Sequence, residues 1–483
     1  MTGRGSPGVV VGLDVGTSAV KALALALDGS VLASHEVAYP LSMPHPGWAE
    51  QDPADWWRAA EESLAAVSGS AEVLGLGLSG QMHGLVALDS ADRVIRPAIL
   101  WNDQRTAVEC EEIAARVGER KLIALTGNRA VTGLTAPKLL WMRRHEPEAY
   151  ARIARVMLPK DYVRLRLCGE HATDVADASG TLLLDVAGRS WSSELLEALE
   201  IEGEWLPRLL ECPQPSGTTR DGVTVAAGAG DQAAGALGVG VVRPGPLSLV
   251  LGTSGVVLAA LDAFRADGEG RVQALCHAAP DAWQAMGVML SAGGALAWLR
   301  ETIAPDVPFD ALMAEAESWE PGAGGLTFLP YLAGERTPHA DPHARGAFVG
   351  LSLHHDRGAL TRAVLEGVAG GLRDCADLVL ALDASQPRVA RASGGGARSD
   401  LWLAIVASAL ELPIERPVVE EGAAFGAALL GGVAAGVWRD VDEAVAATVR
   451  VRDVIEPDPA WIPRYRKLQE RFRALYPATT TAP

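Results

Sequence analysis

Cysteine is scarce in this chain of 483 residues, and the placement of the few cysteines excludes two kinds of site. They are odd in number and contain no Cys-x-x-Cys pair, and they stand at Cys110, Cys168, Cys212, Cys276 and Cys375. Scattered cysteines of this kind argue against a disulfide framework and against a zinc site. They fit a reducing compartment, so we expect a cytoplasmic protein.

Positive charge is also in short supply. Lys and Arg number 42 against 60 Asp and Glu, which gives a formal net charge of −18. A charge of this sign disfavours nucleic acid and anionic membrane surfaces as partners. A nucleotide would therefore need a site built locally, from backbone amides, a few hydroxyls and a metal ion.

Long hydrophobic runs are missing as well. The longest uncharged apolar run, residues 422–438, is mostly Gly and Ala and is too weakly hydrophobic to favour lipid. We expect it to form a tightly packed internal helix. Residues 1–8 contain one Arg and no apolar core, which is not the pattern of a signal peptide.

Several common catalytic motifs are absent. The chain has no Gly-x-x-x-x-Gly-Lys-Ser/Thr segment, no Gly-x-Ser-x-Gly elbow and no protein-kinase signature set. Residues 75–80 match the dinucleotide fingerprint by letter, but they lie within a predicted strand instead of opening a helix. These absences exclude a P-loop enzyme, an α/β-hydrolase and a protein kinase.

Two segments that are present follow one plan. Each is an apolar strand, a Gly-Thr-Ser turn and a second apolar strand, which predicts a β-hairpin. The two turns are Gly16, Thr17 and Ser18, and Gly252, Thr253 and Ser254. Glycine lets the backbone come close to a ligand, and the turn amides and hydroxyls suit a phosphate. Two copies, each opening about half of the chain, predict duplicated lobes that grip one nucleotide from opposite sides.

The order of the other segments predicts an α/β fold in two domains. The first half alternates strand-like and helix-like segments, and the chain is longer than a single core usually supports. Asp52 and Pro53 are typical of a helix start. Two prolines interrupt regular structure in residues 241–246. We therefore expect one domain over residues 8–243 and a second over residues 244–475.

Asp14 stands just before the first Gly-Thr-Ser turn. A carboxylate at this place can hold Mg²⁺ against the phosphates of a nucleotide. The alternative is a turn aspartate that bonds its own backbone. The neighbouring phosphate turn favours the metal.

Asp231 follows a glycine-rich turn and precedes a segment of small residues. Phosphoryl transfer to an alcohol needs an acceptor for the hydroxyl proton, and a carboxylate at a helix start can serve as one. A simple N-cap is an equally good interpretation of the local pattern.

Two further segments are candidates for ligand contact. Met82 and His83 lie in a loop between Gly80 and Gly84, where a core methionine and a satisfied buried histidine remain alternatives. Residues 393–396 form a glycine-rich turn before a helix, which could pass closely along a flat ligand or simply connect two elements.

Seven motifs occur together in this chain. They are Trp48-Ala-Glu-Gln-Asp-Pro, Gly80-Gln-Met-His-Gly, Leu100-Trp-Asn-Asp, Thr135-Ala-Pro-Lys-Leu-Leu-Trp, Leu158-Pro-Lys-Asp-Tyr, Gly334-Glu-Arg-Thr-Pro-His and Gly394-Gly-Gly-Ala-Arg-Ser. With the two Gly-Thr-Ser turns, they resemble the FGGY family of carbohydrate kinases, within the actin-like ATPase superfamily. The resemblance runs essentially from end to end and is greatest to the members that phosphorylate D-xylulose.

The resemblance implies two actin-like (ribonuclease H-like) lobes, with ATP and a sugar in the cleft between them. It implies that Asp231 is the proton acceptor and that Asp14 serves Mg²⁺. The implied sugar-binding residues are Met82, His83, Trp101, Asp103, Asp231 and Gln232. The implied nucleotide-binding residues are Gly16, Thr17, Ser18, Gly252, Thr253 and Ser254 at the phosphates, and Gly395, Gly396, Ala397 and Asp400 along the adenosine.

One residue departs from the pattern of many D-xylulose kinases. They carry Asn after the catalytic Asp, where this chain has Gln232. The resemblance as a whole predicts phosphorylation of D-xylulose by ATP. The departure at Gln232 keeps open a kinase for another ketose or polyol. An actin-like ATPase without a sugar substrate and a catalytically silent sugar sensor are weaker alternatives. The oligomeric state is open too, with a homodimer as one expectation.

Overall fold

The computed structural model describes residues 8–69, 71–382 and 386–480. Residues 1–7, which make up nearly all of the segment examined above for a signal peptide, lie outside that part. The strands are β1 Val9–Val15, β2 Ala19–Leu25, β3 Val31–Ala38, β4 Glu50–Gln51, β5 Val73–Gly80, β6 Val86–Leu88, β7 Ala98–Ile99, β8 Arg155–Met157, β9 Ala172–Asp174, β10 Leu184–Asp185, β11 Ser190–Trp191, β12 Arg208–Leu210, β13 Pro215–Thr218, β14 Thr224–Ala226, β15 Ala229–Gly230, β16 Leu247–Leu251, β17 Gly255–Leu261, β18 Gln273–Cys276, β19 Trp283–Met289, β20 Thr327–Leu329, β21 Ala347–Val349, β22 Ala390–Ser393, β23 Ile414–Pro417 and β24 Val451–Ile455.

Helices connect and cover these strands. They are α1 Pro53–Ser68, α2 Ala107–Val117, α3 Glu119–Thr126, α4 Thr135–His145, α5 Pro147–Tyr150, α6 Pro159–Cys168, α7 Val175–Ala178, α8 Ser193–Leu199, α9 Asp231–Gly238, α10 Gly293–Ile303, α11 Phe309–Glu317, α12 Arg357–Leu380, α13 Asp400–Leu410, α14 Gly422–Ala434, α15 Val441–Thr448 and α16 Ile462–Thr480. In the described residues, none of them is long and apolar enough to cross a membrane.

Two large mixed sheets form the centre of the molecule, and they share one topology. The first has the order β13-β14-β5-β1-β2-β3, and the second has the order β18-β19-β17-β16-β22-β23-β24. In each sheet a hairpin supplies two antiparallel strands, β1 with β2 and β16 with β17. A later strand then pairs in parallel with the first strand of that hairpin, β5 with β1 and β22 with β16. The predicted α/β class and the two predicted hairpins are thus confirmed.

The helix start predicted from Asp52 and Pro53 is also confirmed, as the start of α1. The carboxylate of Asp52 accepts a hydrogen bond of 2.9 Å from the amide of Ala54, which caps α1. Pro53 occupies the first turn of α1. An N–H group at that position has no acceptor within the helix, so proline costs no hydrogen bond there. Trp56, which follows on the inner face of α1, is completely buried in the core under β1 and β2.

The Gly- and Ala-rich run forms α14, the internal helix that the sequence predicts. α14 comes late in the chain, yet it packs on β1 and β5 of the first sheet. A Cβ atom on Gly12 would lie 1.9 Å from the carbonyl oxygen of Ala424, and one on Gly77 would lie 1.7 Å from that of Ala427. Backbone therefore meets backbone at this contact, and only residues without side-chain bulk allow it. The contact ties the second half of the chain to the first sheet.

Candidate active site

Residues from both halves of the chain surround a cavity of about 150 Å³, here called the Asp231 cavity. It is lined by Thr17, Met82, His83, Trp101, Asp231, Gln232, Ser254, Val256, Gln273, Met286, Val288 and Arg336. Thr17 belongs to the turn between β1 and β2, and Ser254 belongs to the turn between β16 and β17. The two Gly-Thr-Ser turns therefore face one space, together with the first residue of α9.

A second cavity, of about 250 Å³, is here called the Asp14 cavity. It is lined by Asp14, Lys21, Gly394, Gly395, Arg398, Glu420, Glu421, Gly422, Ala423 and Ala424. Its walls are the end of β1, the glycine-rich turn after β22 and the N-terminal end of α14. Gly394 adopts a φ of 86°, which glycine tolerates at no steric penalty.

Asp14 and Asp231 line different cavities, but the charge of Asp14 affects the pKa of Asp231. Burial and the carboxylate of Asp14 raise the pKa of Asp231 to about 7. Burial raises the pKa of Asp14 to about 6, and the charge of Lys21 opposes that rise. The negative charge of Asp14 thus favours the protonated form of Asp231.

Asp14 has a free acceptor that suits a metal ion. Its Oδ1 atom is buried and makes no hydrogen bond of ordinary geometry in the described residues, although the nearby Ser79 hydroxyl lowers the pKa of the carboxyl. Mg²⁺ takes oxygen ligands, usually one or two carboxylates together with phosphates and water. A single unpaired carboxylate oxygen beside a phosphate turn fits that ligand set.

His83 is held as a neutral hydrogen-bond acceptor. Burial and the charges of Lys138 and Arg336 lower the pKa of His83 to about 3. Nδ1 lies 3.0 Å from the carbonyl oxygen of Gly180, which can only accept, so Nδ1 carries the proton. Nε2 is then left without a proton. The ring therefore offers an acceptor to a ligand in the Asp231 cavity.

The backbone of His83 is fixed by donors from α4. His83 has a φ of 69°, in the left-handed region that non-glycine residues seldom occupy. Its carbonyl oxygen accepts hydrogen bonds from Thr135 Oγ1 at 3.0 Å and from Lys138 Nζ at 2.8 Å. Lys138 also donates to the carbonyl oxygen of Gly133 at 2.8 Å. These bonds keep the ring at the cavity wall.

Hydrogen bonds from polar side chains hold the first Gly-Thr-Ser turn in place. Gln51 Nε2 donates to the carbonyl oxygen of Thr17 at 2.7 Å, and Trp101 Nε1 donates to Thr17 Oγ1 at 2.9 Å. Gln81 Nε2 donates to Gln51 Oε1 at 3.0 Å. Tyr39 donates its hydroxyl hydrogen to the carbonyl oxygen of Gly16. Trp101, a predicted sugar contact, thus joins the Asp231 cavity to the first turn.

The second Gly-Thr-Ser turn is held in place by hydrogen bonds to its carbonyl groups. The oxygen of Gly252 accepts a bond of 2.8 Å from the amide of Gly293, and that of Thr253 accepts one of 2.8 Å from the amide of Ala292. These bonds fix the turn to the start of α10. The side chain of Ser254 lines the cavity beyond it.

Several predicted residues are not brought to either cavity wall. Asp103 is completely buried, and its oxygens accept bonds from Arg105 Nη2 and the amide of Ala49, both at 2.7 Å. Its acceptors are therefore used inside the protein. Asp400 has an exposed side chain that pairs with Arg416 Nη1 at 2.6 Å. The remaining predicted residues outside both linings are Gly16, Ser18, Gly252, Thr253, Gly396 and Ala397.

Other wall residues were not among the candidates. Arg336 belongs to the quoted Gly334-Glu-Arg-Thr-Pro-His motif, so a signal existed, although no role followed from it. The same holds for Arg398, which lines the Asp14 cavity and belongs to the quoted Gly394-Gly-Gly-Ala-Arg-Ser motif. Gln273, in β18, stands in no motif, and nothing in the sequence marks it. Lys21 lines the Asp14 cavity and was not marked either.

Comparison with known proteins identifies the family. The model of the FGGY carbohydrate kinase N-terminal domain matches residues 9–238, and that of the C-terminal domain matches residues 247–435. The chain belongs to the FGGY family of carbohydrate kinases. It is therefore an enzyme of the sugar-kinase class with two actin-like lobes.

Individual relatives are similar over nearly their full length. The xylulose kinase of Escherichia coli strain K12 is 42% identical over 480 residues, covering 96% of this chain and 98% of its own. The crystal structure of xylulose kinase from Rhodospirillum rubrum has a TM-score of 0.89 at 34% identity, and the match covers 97% of this chain and 98% of that chain. The crystal structure of gluconate kinase from Lactobacillus acidophilus has a TM-score of 0.93 at 26% identity, and the match covers 98% of this chain and 99% of that chain.

Proposed function

We propose that this protein transfers the γ-phosphoryl group of ATP to D-xylulose and forms D-xylulose 5-phosphate. The observation that carries the proposal is the Asp231 cavity, where a candidate base meets the hydroxyls of Thr17 and Ser254 from both phosphate turns. The similar xylulose kinases support the choice of sugar.

Asp231 acts as the general base in this proposal. It takes the proton of the C5 hydroxyl as that oxygen attacks the γ-phosphorus and the bond to the β-phosphate oxygen breaks, which releases ADP. Its pKa of about 7 lies near the working pH, where a general base is most effective. Asp231→Asn is expected to lower turnover by at least ~10²-fold while ATP affinity changes little.

Asp14 would hold Mg²⁺ through its Oδ1 atom. When bound, Mg²⁺ neutralises charge on the transferring phosphoryl group. The amides and hydroxyls of the two Gly-Thr-Ser turns hold the phosphate oxygens, and Gly395 with its neighbours in the Asp14 cavity lies along the adenosine. Met82, His83, Trp101 and Gln232 hold the sugar, with His83 Nε2 accepting a hydroxyl hydrogen.

We also propose a cytoplasmic location, where ATP is supplied. None of the five cysteines forms a disulfide, which fits a reducing compartment.

The second candidate is a kinase of the same fold for another sugar. Gluconate kinase from Lactobacillus acidophilus shares this fold at a TM-score of 0.93, so the fold alone does not select the acceptor. Gln232 is the wall residue that differs from the usual Asn, and its longer side chain changes the space beside Asp231.

An ADP-release assay with Mg-ATP separates these candidates. The acceptors are D-xylulose, L-xylulose, D-ribulose, L-ribulose, glycerol, gluconate and none. Strong turnover with D-xylulose above a low blank supports the proposal. A preference for a different acceptor moves the assignment to that sugar, and ADP release that ignores every acceptor contradicts sugar phosphorylation.

A further inference from the structure

Arg336 places a positive charge in the wall of the Asp231 cavity without a partner for it. Across residues 8–69, 71–382 and 386–480, the structure gives its guanidinium group no hydrogen bond and no ion pair; only its backbone amide donates, to Glu335 Oε1 at 2.7 Å. A guanidinium group carries five N–H donors and no acceptor. The Arg336 side chain is half-buried and lines the cavity, so its donors are open to a ligand that supplies acceptors.

The neighbours of Arg336 fix its backbone while leaving its side chain free. Glu335 Oε1 also accepts a bond of 3.0 Å from the amide of Leu290. The amide of Thr337 donates to the carbonyl oxygen of Val288 at 3.0 Å, and the amide of Val288 donates to Thr337 Oγ1 at 3.1 Å. Arg336 is thus anchored on both sides to the end of β19. These bonds fix where the side chain starts, which limits the part of the cavity wall that its guanidinium group can reach.

Arg336 and His83 line the same cavity, and the charge of Arg336 helps to lower the pKa of the His83 imidazole. The two side chains offer opposite chemistry to a ligand. His83 Nε2 only accepts, so it pairs with a hydroxyl group. Arg336 only donates, so it pairs best with an oxygen that has no hydrogen of its own. Asp231 occupies another part of the wall, where the reacting hydroxyl must lie.

A five-carbon 2-ketose presents such an oxygen. Phosphorylation at C5 requires a free C5 hydroxyl, and that same hydroxyl would be consumed if the sugar closed a five-membered ring through C2. The reacting sugar is therefore open-chain and keeps a free carbonyl at C2. The carbonyl oxygen accepts hydrogen bonds and donates none.

From these observations we infer that Arg336 donates to the C2 carbonyl oxygen of the open-chain ketose and selects the ketose over the corresponding polyol. The inference rests on the proposed function and names the residue that recognises the substrate's oxidised carbon. In the polyol, the C2 hydroxyl carries a hydrogen for which Arg336 offers no acceptor.

The test compares D-xylulose with xylitol, which has the same configuration at C3 and C4 and differs at C2. The ratio of kcat/KM for the two acceptors is measured for the wild type, Arg336→Met and Arg336→Lys. We expect Arg336→Met to lower kcat/KM for D-xylulose by at least ~10-fold, as expected for losing a charged hydrogen bond. The value for xylitol should fall much less, and Arg336→Lys should lie between.

Two controls separate recognition from folding. Gln232→Asn alters the wall beside the reacting hydroxyl, which both acceptors share, so it should change both kcat/KM values by the same factor. Without ligand, Arg336→Met should melt at or above the wild-type Tm, because its guanidinium has no protein partner. D-Xylulose should then raise the Tm of the wild type more than that of the variant.

The outcomes are distinct. A wild type without D-xylulose turnover overturns the proposed function and this inference with it. An active wild type whose ketose preference survives in Arg336→Met overturns the inference alone. Equal losses for both acceptors, or a lowered Tm with an unchanged response to D-xylulose, would make Arg336 a structural residue.

Discussion

Lys138 Nζ lies 2.8 Å from the main-chain oxygen of His83 and donates a hydrogen bond to it. His83 holds a left-handed backbone conformation that it would seldom adopt alone. A buried lysine, bonded to two backbone carbonyl oxygens, is thus used to position the imidazole that faces the cavity. The relationship predicts that Lys138 affects sugar binding without touching the sugar.

Lys138→Met should raise the KM for the sugar roughly 10-fold or more, since small misplacements in a site are costly. The KM for ATP should stay the same, because Lys138 does not line the Asp14 cavity. Lys121→Met is the matched control, since Lys121 is exposed and pairs with Glu194 at the surface. Equal rises in both KM values would contradict a positioning role.

The pH dependence of kcat/KM should report the two interacting carboxylates. The base must be ionised to take a proton, so activity should fall as the pH drops below about 7, the pKa of Asp231. At lower pH, competition between protons and Mg²⁺ for Asp14 should steepen the fall, and the apparent values belong to the pair. Initial rates at low sugar concentration between pH 5 and 9 provide the measurement. A flat profile over that range would contradict the role of Asp231.

The same carboxylate should lower stability at high pH. The pKa of Asp231 rises on folding from 3.8 to about 7. Between those values the unfolded chain releases the proton while the folded protein keeps it, so the folded state loses relative stability as the pH rises and the loss is complete above about 7. Asp231→Asn removes this effect, which is worth on the order of 4 kcal/mol.

Thermal melts should therefore show a Tm gain for Asp231→Asn at pH 8 that shrinks toward pH 5. Ser18→Ala, at an exposed turn position, is a control that should show no such trend. A gain that stays constant between pH 5 and 8 would mean that the Asp231 carboxyl is not responsible.

The contact between α14 and the first sheet predicts two opposite glycine substitutions. Gly77→Ala would place a Cβ atom 1.7 Å from the oxygen of Ala427, and backbone cannot easily yield, so a loss of at least ~2 kcal/mol is expected. Gly235→Ala, in α9, meets nothing within 4 Å and should be neutral or stabilise by up to ~1 kcal/mol. Thermal melts measure both, and equal Tm values for the two variants would contradict the packing.

Local patterns were enough to predict the hairpins, the capped start of α1 and the apolar helix α14. Strand alternation, Gly-Thr-Ser turns and capping residues act over a few positions, so a single sequence reveals them. The sequence also marked Asp231 and His83, which the fold brings to one cavity although they lie far apart in the chain.

Contacts that depend on the assembled fold could not be predicted in this way. Asp103 stands in a motif but pairs with Arg105, since the local turn brings that guanidinium group onto it. Arg336 lies in another motif, yet only the meeting of the two lobes places it near His83. The packing of α14 on the first sheet likewise needs residues hundreds of positions apart.

The central claim is that Asp231 promotes phosphoryl transfer to the C5 hydroxyl of D-xylulose. Phosphorus NMR of the products formed from Mg-ATP and D-xylulose, by the wild type and by Asp231→Asn, tests it most directly. The account predicts a phosphomonoester coupled to the two protons on C5 and not to those on C1, in equal amount to ADP, formed at least ~10²-fold more slowly by the variant. ADP accompanied by inorganic phosphate alone, or equal rates for the two proteins, would contradict it.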